Sequence, residues 1–305
     1  MNKSDLIKEL RARTQAGMKD CADALNDAGN DLEKAVDILK TKGQNLVSGR
    51  DSKVAAEGIV VTKSLGDKFD SVVMAEINCQ TDFVARNPDF IKFANLAIDY
   101  IGDCILNNKS FDINDPILVE AKNDIVNKTK EKCAIRRWWA EQVPFDTNKT
   151  FSYVHPGSKL GVILSLSASS AEIANSNEFK SLGNDLAMQI AAMNPLAISS
   201  DRLTKDLVSR QNDIFVTQIK EMNNPKIQPQ RVLDGKLNKW YTEVCLLNQE
   251  SVMFPKTCIK QVIEDVAKKL GGDIQVASFI RCNVGEGIVK IKDDFTSEVS
   301  KLSGV

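Results

Sequence analysis

Apolar residues recur at helical spacing over residues 3–43, shift to strand-like runs from Val54, and return to long helical intervals over 199–245. The first stretch reads as three short helices. Leu6, Ile7 and Leu10 share one face behind Ser4 as N-cap, Gly17 breaks the chain, and Met18, Cys21, Ala24 and Leu25 continue on the next helix. Asn30 followed by Glu33 has the form of a capping box, and Leu32, Val36 and Leu39 carry the third helix until Gly43 stops it. A core this small is marginal on its own. Beyond it, Gly58-Ile59-Val60-Val61 and Val72 to Ile77 flank Leu65-Gly66-Asp67, a hairpin signal. Pro88 to Asn107 and Pro116 to Arg137 read as helices, the first with Phe90, Phe93, Leu96, Ala97 and Ile101 on one face.

A weak echo follows. Gly161 to Leu166 reads as a strand, and Asn177-Glu178-Phe179, leading to Leu182 and Leu186, repeats the helix start Asn87-Pro88-Asp89-Phe90 with different spacing and few matching residues. Leu203, Leu207, Ile214, Ile219 and Met222, then Val232, Leu233, Leu237 and Trp240, predict two long helices around Asn223-Asn224-Pro225. A helix after Pro255, a strand over Ile274 to Cys282 and a helix near Asp294 to Leu302 complete an α+β chain. The expected segments are an N-terminal domain at 1–45, a linker at 46–53 and a core subdomain at 54–145. A second core subdomain at 146–285 carries the helical hairpin at about 199–245, and a C-terminal module spans 286–305.

Composition narrows the function classes. The 305 residues favour roughly two domains; 43% hydrophobic and 27% charged residues are ordinary for a globular chain. A net charge of −1 with no dominant Lys/Arg block argues against nucleic-acid binding. No signal segment or membrane-spanning run is evident, so no membrane partner is expected and the cytoplasm is the expected compartment. Seven scattered cysteines and one histidine, His155, offer no metal cluster or disulfide frame, and no cofactor is expected.

The densest motif is Asn78-Cys79-Gln80-Thr81-Asp82-Phe83-Val84-Ala85-Arg86-Asn87, just past a strand-like run. An acid beside an aromatic at such a junction reads equally as a helix start, with Thr81 or Asp82 as cap and Phe83 facing the core. Other motifs accompany it in order. They are Leu10 to Cys21, Val54-Ala55-Ala56-Glu57-Gly58, Ile135-Arg136-Arg137 and Tyr153-Val154-His155 with Gly157, then Glu243 to Gln249 and Phe279 to Gly287. Together they resemble the signatures of the translation elongation factor Ts family, the guanine nucleotide exchange factors of elongation factor Tu. The resemblance implies a ubiquitin-associated-like three-helix N-terminal domain, a two-part α+β core with antiparallel sheets, a coiled-coil-like helical hairpin and a C-terminal helix. It also implies a protein partner, elongation factor Tu, no direct nucleotide binding, and no covalent chemistry. Whether the assembly is a heterodimer or a two-plus-two complex through self-association of the hairpin stays open.

By the same resemblance Thr81, Asp82, Phe83 and Val84 form the exchange wedge. Arg11, Met18 and Lys19 are N-terminal contacts, and His155 and Met188 are contacts from the second subdomain. Met18 has an alternative role packing against Cys21 and Leu25. Gln15 and Thr129-Lys130 depart from the family pattern, Gln189 stands where some members carry histidine, and Trp138-Trp139 read as core or as an interface. Two rival readings remain: a helical adaptor without exchange activity, and an enzyme using Cys79 with His155 as base.

Overall fold

The computed structural model describes residues 2–14, 16–50, 53–66, 71–143, 146–222 and 228–289. Helices α1 (Lys3–Thr14), α2 (Met18–Asp27) and α3 (Leu32–Arg50) lead to strands β1 (Glu57–Leu65) and β2 (Ser71–Cys79). Then come α4 (Asp82–Ala85), α5 (Pro88–Leu106), α6 (Pro116–Thr129), β3 (Ala134–Gln142), β4 (Asn148–Val154) and β5 (Leu160–Ala168). Next are α7 (Ala171–Asn175), α8 (Asn177–Met193), α9 (Lys205–Glu221), α10 (Pro229–Val244), α11 (Ile259–Leu270) and β6 (Ile274–Asn283). Two antiparallel three-stranded sheets, ordered β1-β2-β3 and β4-β5-β6, make the fold α+β. The chain divides into two compact units, Met1–Val61 with Ala75–Trp138 and Asn283–Val305, and Thr62–Met74 with Trp139–Cys282.

The N-terminal helices enclose Leu10, Cys21, Ala24, Leu25, Ala35 and Leu39, and α3 lies along α6, which lends this small core further cover. The caps differ from the expected ones. Asn2, not Ser4, starts α1, its side chain accepting from the Asp5 N–H at 2.9 Å. Asp31 caps α3 through the N–H groups of Glu33 and Lys34, while Asn30 takes a left-handed conformation, φ 67°, to end the preceding turn. Gly43 does not stop α3, which runs to Arg50: a helical glycine costs only about 1 kcal/mol against alanine. The expected 116–137 helix is two elements. Lys130, at φ 59°, closes α6, and β3 takes up Ile135-Arg136-Arg137. Gln15, Asp67, Asn223-Asn224-Pro225 and the helix expected near 294–302 lie outside the described residues.

Strand β2 is central in its sheet and buried from Val72 to Cys79, which is why it reads as a continuous apolar run rather than an alternating one. Its counterpart is β5. From Ser71 to Leu160 and from Pro88 to Asn177 the two halves keep the same separation, so strand, one-turn helix and long helix repeat in register. The helix caps are Asn87 and Ser176, each three residues before a fully buried phenylalanine, Phe90 and Phe179. The differing spacing read from the sequence came from pairing Asn177, already inside α8, with the cap Asn87.

In the second unit Phe151, Val162, Leu164, Leu166, Phe179, Leu186 and Ile190 form the core with α11. Helices α9 and α10 pack together around Leu203, Leu207, Phe215, Leu237 and Trp240, with Lys236 donating to Gln218 at 2.8 Å; this pairing runs them antiparallel. Among the described residues no helix is long and apolar enough to cross a membrane.

Gly58 shows how tightly β1 meets β2. Its φ is 146°, and a Cβ there would fall 2.0 Å from the Ile77 carbonyl oxygen. Gly58→Ala therefore strains the backbone and collides with a neighbouring strand; we expect a loss on the order of 3 kcal/mol in urea unfolding. An unchanged urea midpoint would contradict this close approach.

Candidate functional site

The Thr81–Val84 segment sits where β2 turns into α4. A four-residue helix cannot sustain itself, so its shape is set by what holds its ends. Thr81 is the cap, its hydroxyl oxygen accepting from the Val84 N–H at 3.4 Å. Val84 and Ala85 turn inward and are buried. Phe83 is left on the outside, 82% exposed, rather than in the core. Asp82 pairs with Arg86 at 3.1 Å one turn on, and its charge lies at the helix N-terminus where the macrodipole favours it.

The loop before α4 is held from the far side of α6. The Thr81 N–H donates to Glu131 Oε2 at 3.0 Å and its hydroxyl to Oε1 at 2.7 Å. The Lys132 N–H donates to Gln80 Oε1 at 3.1 Å, and the Cys79 thiol to the Thr81 carbonyl. One residue earlier, Lys130 Nζ reaches Asp20 on α2 at 3.1 Å. Thus residues 130–132 support both the Thr81–Val84 segment and the start of α2, where Met18 and Lys19 are exposed. Met18 is 62% exposed while Cys21 and Leu25 are fully buried, so it does not serve as their packing partner. Arg11 is exposed on α1.

Further back along β2 lies a buried ionic cluster. Glu76 has no exposed surface; its carboxylate accepts from Arg136 at 3.0 Å, Arg137 Nε at 2.5 Å, the Gly285 N–H at 2.7 Å and Asn78 at 3.1 Å. Burial alone pushes this carboxyl up, but the Gly285 N–H, then Arg137, Arg136 and Asn78 outweigh it and hold it below its ordinary value. Gly285 has φ 74° and a Cβ there would sit 2.3 Å from the Ala56 carbonyl, so Val284 to Gly287 is a tight turn docked on the sheet.

His155 and Met188 belong to the second unit. His155 is exposed in the β4–β5 turn, Nδ1 3.0 Å from the Tyr153 hydroxyl, and Met188 is half-buried on α8. Beside it, buried Gln189 accepts from the Val252 N–H at 2.8 Å and donates to the Glu250 carbonyl. Gln249, fully buried, donates to the carbonyls of Met193 and Glu243. These amides hold a loop on which Val252, Met253 and Phe254 are about half exposed. Trp138 packs edge-on against Phe111, ring centroids 5.4 Å apart, and Trp139 is half-buried. Cys79 is fully buried and burial pushes the Cys133 thiol up to about 12, neither a setting for a nucleophile.

The Elongation factor TS family profile matches residues 80–286. The elongation factor Ts proteins of Clostridium botulinum (strain Eklund 17B / Type B) and Clostridioides difficile (strain 630) are 35% and 36% identical to the chain over 304 residues. The aligned regions cover 98% of this chain and 98% and 97% of those proteins. That of Symbiobacterium thermophilum is 35% identical over 303 residues, covering 98% of this chain and 97% of that protein. The chain belongs to the elongation factor Ts family. Membership places it in translation elongation and supports the nucleotide exchange role implied by the motifs.

Sequence reading missed three features of this family member. Glu76 was visible as a charge inside an apolar strand, with Arg136-Arg137 as candidate partners. Glu131 carried no local signal, since its partner lies 50 positions away. The apolar triplet Val252-Met253-Phe254, ahead of Pro255, could have been noticed as a loop too hydrophobic for solvent.

Removing the Glu76 carboxylate would leave two arginines and a docked turn without their acceptor. A carboxyl held low contributes stability that is present above its ordinary value of 4.5 and is lost as pH falls through the lower folded-state value. Glu76→Ala should cost roughly 3 kcal/mol at pH 7 and flatten the acid side of the stability–pH curve. Urea unfolding at pH 7 and at pH 4 reads both effects; an equal loss at the two values would remove Glu76 as the source of acid sensitivity.

Proposed function

We propose that this chain is the guanine nucleotide exchange factor of elongation factor Tu and that Phe83, with Asp82 beside it, is the wedge that opens the nucleotide site. The observation that carries this is the solvent-facing Phe83 ring on a one-turn helix whose next two residues are buried. A large ring held outside at a fixed position forgoes roughly 1.5–3 kcal/mol of burial in the free protein, and a partner pocket can return it.

Exchange needs no covalent chemistry. A nucleotide held at about nanomolar affinity, about −12 kcal/mol, is released when the factor stabilises a partner form with a distorted site. Reciprocity then requires the nucleotide to weaken the factor by the same ratio, so GTP resolves the binary complex. Asp82 supplies negative charge beside the ring, suited to disturbing the region around a bound Mg²⁺. Thr81 and Val84 position the pair.

Anchoring falls to exposed side chains on separate elements: Arg11, Met18 and Lys19 in the N-terminal domain, and His155 and Met188 in the second subdomain. The half-exposed Val252-Met253-Phe254 loop adds an apolar surface of the kind that partners cover. The domain organisation is a 1–45 module, a 46–53 linker, core subdomains at 54–145 and 146–285, and a C-terminal module at 286–305. The protein works in the cytoplasm, binds no nucleotide itself, and has the exposed Ile214 on α9 and Met222 just past its end available for self-association.

The test is release of a fluorescent GDP analogue from the cognate elongation factor Tu at substoichiometric factor. Wild type should accelerate release, and Phe83→Ala should reduce the acceleration at least about tenfold with an unchanged circular dichroism spectrum. Equal acceleration by both proteins moves the wedge elsewhere. No acceleration by folded wild type sinks the exchange reading and favours a binding adaptor.

A further inference from the structure

Glu131 is outside the wedge segment, yet both hydrogen-bond donors of Thr81, its N–H and its hydroxyl, are committed to it. We propose that Glu131 is a positioning residue for exchange: its carboxylate clamps Thr81 and so fixes the direction in which α4 presents Phe83. The proposal rests on the wedge reading above.

The geometry argues for a clamp rather than an incidental contact. A threonine hydroxyl has one hydrogen and two lone pairs. Here the hydrogen points to Glu131 Oε1 at 2.7 Å, the short range of a charge-assisted bond, which turns the lone pairs toward the Val84 N–H. That capping bond is long, 3.4 Å, and is weak on its own. The Thr81 N–H occupies the second carboxylate oxygen at 3.0 Å. One turn of helix, closed by the Ala85–Thr81 and Arg86–Asp82 main-chain bonds at 3.2 Å, is too short to hold an exposed ring still. The stiffness is supplied by Glu131, mounted just after the end of the fourteen-residue helix α6.

The internal repeat supplies a built-in control. In the second half Ser170 caps α7 through the Ile173 N–H at 3.3 Å, and the position matching Phe83 is the exposed acid Glu172. Helix α11 ends on left-handed Gly271 as α6 ends on left-handed Lys130, so the residue matching Glu131 is Gly272. A Cβ on Gly272 would lie 2.3 Å from Ser169 Oγ. This junction is closed by the Ser169 N–H donating to the Asp273 carbonyl at 2.9 Å and the Asp273 N–H donating to Ser169 Oγ at 3.0 Å. The repeated fold therefore closes this junction without a carboxylate. The carboxylate occurs in the half that displays an exposed phenylalanine.

The experiment combines two measurements on the full-length chain. Amide hydrogen exchange of free Glu131→Ala should speed up at residues 82–86 and stay at wild-type rates in α5 and α8. In GDP release from elongation factor Tu, its maximal rate should fall roughly tenfold, the loss of a bond to a charged group. The half-saturating concentration should change less than about twofold, because the anchoring surfaces are untouched. Isosteric Glu131→Gln, which keeps one acceptor, should recover part of the rate. Unaltered hydrogen exchange at 82–86, an unaltered maximal rate, or a loss confined to the half-saturating concentration each overturns the clamp. Phe83→Ala in the same assay separates the two ideas. If it retains full activity the wedge reading fails, whereas a weak Phe83→Ala beside a fully active Glu131→Ala refutes the clamp alone.

Discussion

The buried carboxylate of Glu76 is the constraint on which the first unit depends. A charge with no exposed surface persists only when its oxygens are fully engaged, and here they are shared among two guanidinium groups, a main-chain N–H and an amide. The partners come from different stretches of chain: β2 itself, β3, and the turn at 283–287. Gly285 reaches the carboxylate because it lacks a Cβ and can take a positive φ against Ala56. Motifs that look unrelated along the sequence, around Ala56, Arg136 and Gly285, are thus parts of one joint. Three residues past Glu76 β2 ends, and the Thr81–Val84 segment follows.

The two halves share a duplicated scaffold used in two ways. Both halves run from a buried central strand through a one-turn helix into a long helix whose cap precedes a buried phenylalanine by three residues. The second half places a charged residue at the outer position of its short helix, as a solvated surface normally would. The first half places Phe83 there and adds a carboxylate behind the cap. Exposing one ring costs the free protein far less than the fold gains elsewhere, and the ring remains available to a partner pocket.

Much of this was legible from pattern alone. The strands at 58–61, 72–77 and 161–166, the long helices α5 and α8, the hairpin helices and the order of motifs follow from period, caps and glycines. The misplaced details share a cause. Asn2 and Asp31 competed as caps with Ser4 and Asn30 only a residue or two away, and local sequence ranks such neighbours almost equally. The α6–β3 boundary turned on Lys130 adopting a left-handed conformation that its side chain does not advertise. Local pattern put Phe83 in the core, and the family resemblance alone turned it outward: position 83 lies out because 84 and 85 lie in, and that choice is made by tertiary packing. Glu131 and the buried glutamines Gln189 and Gln249 act at long sequence separation, where a single sequence carries no periodic signal.

Lys130 shows how closely the supports of α2 and of Phe83 are joined. A non-glycine residue in the left-handed region costs roughly 1–2 kcal/mol, which glycine would avoid. An exposed ion pair with Asp20 returns at most about 1 kcal/mol, so the pair does not by itself offset the strain. Its consequence is geometric. The lysine ties α2, with Met18 and Lys19 at its start, to the same short segment whose next residue grips Thr81. Anything that displaces residues 129–132 shifts the start of α2 and the Thr81–Val84 segment together, and the packing of α3 along α6 resists that displacement. Under the proposed exchange role, binding energy collected at the start of α2 acts at Phe83 through this segment.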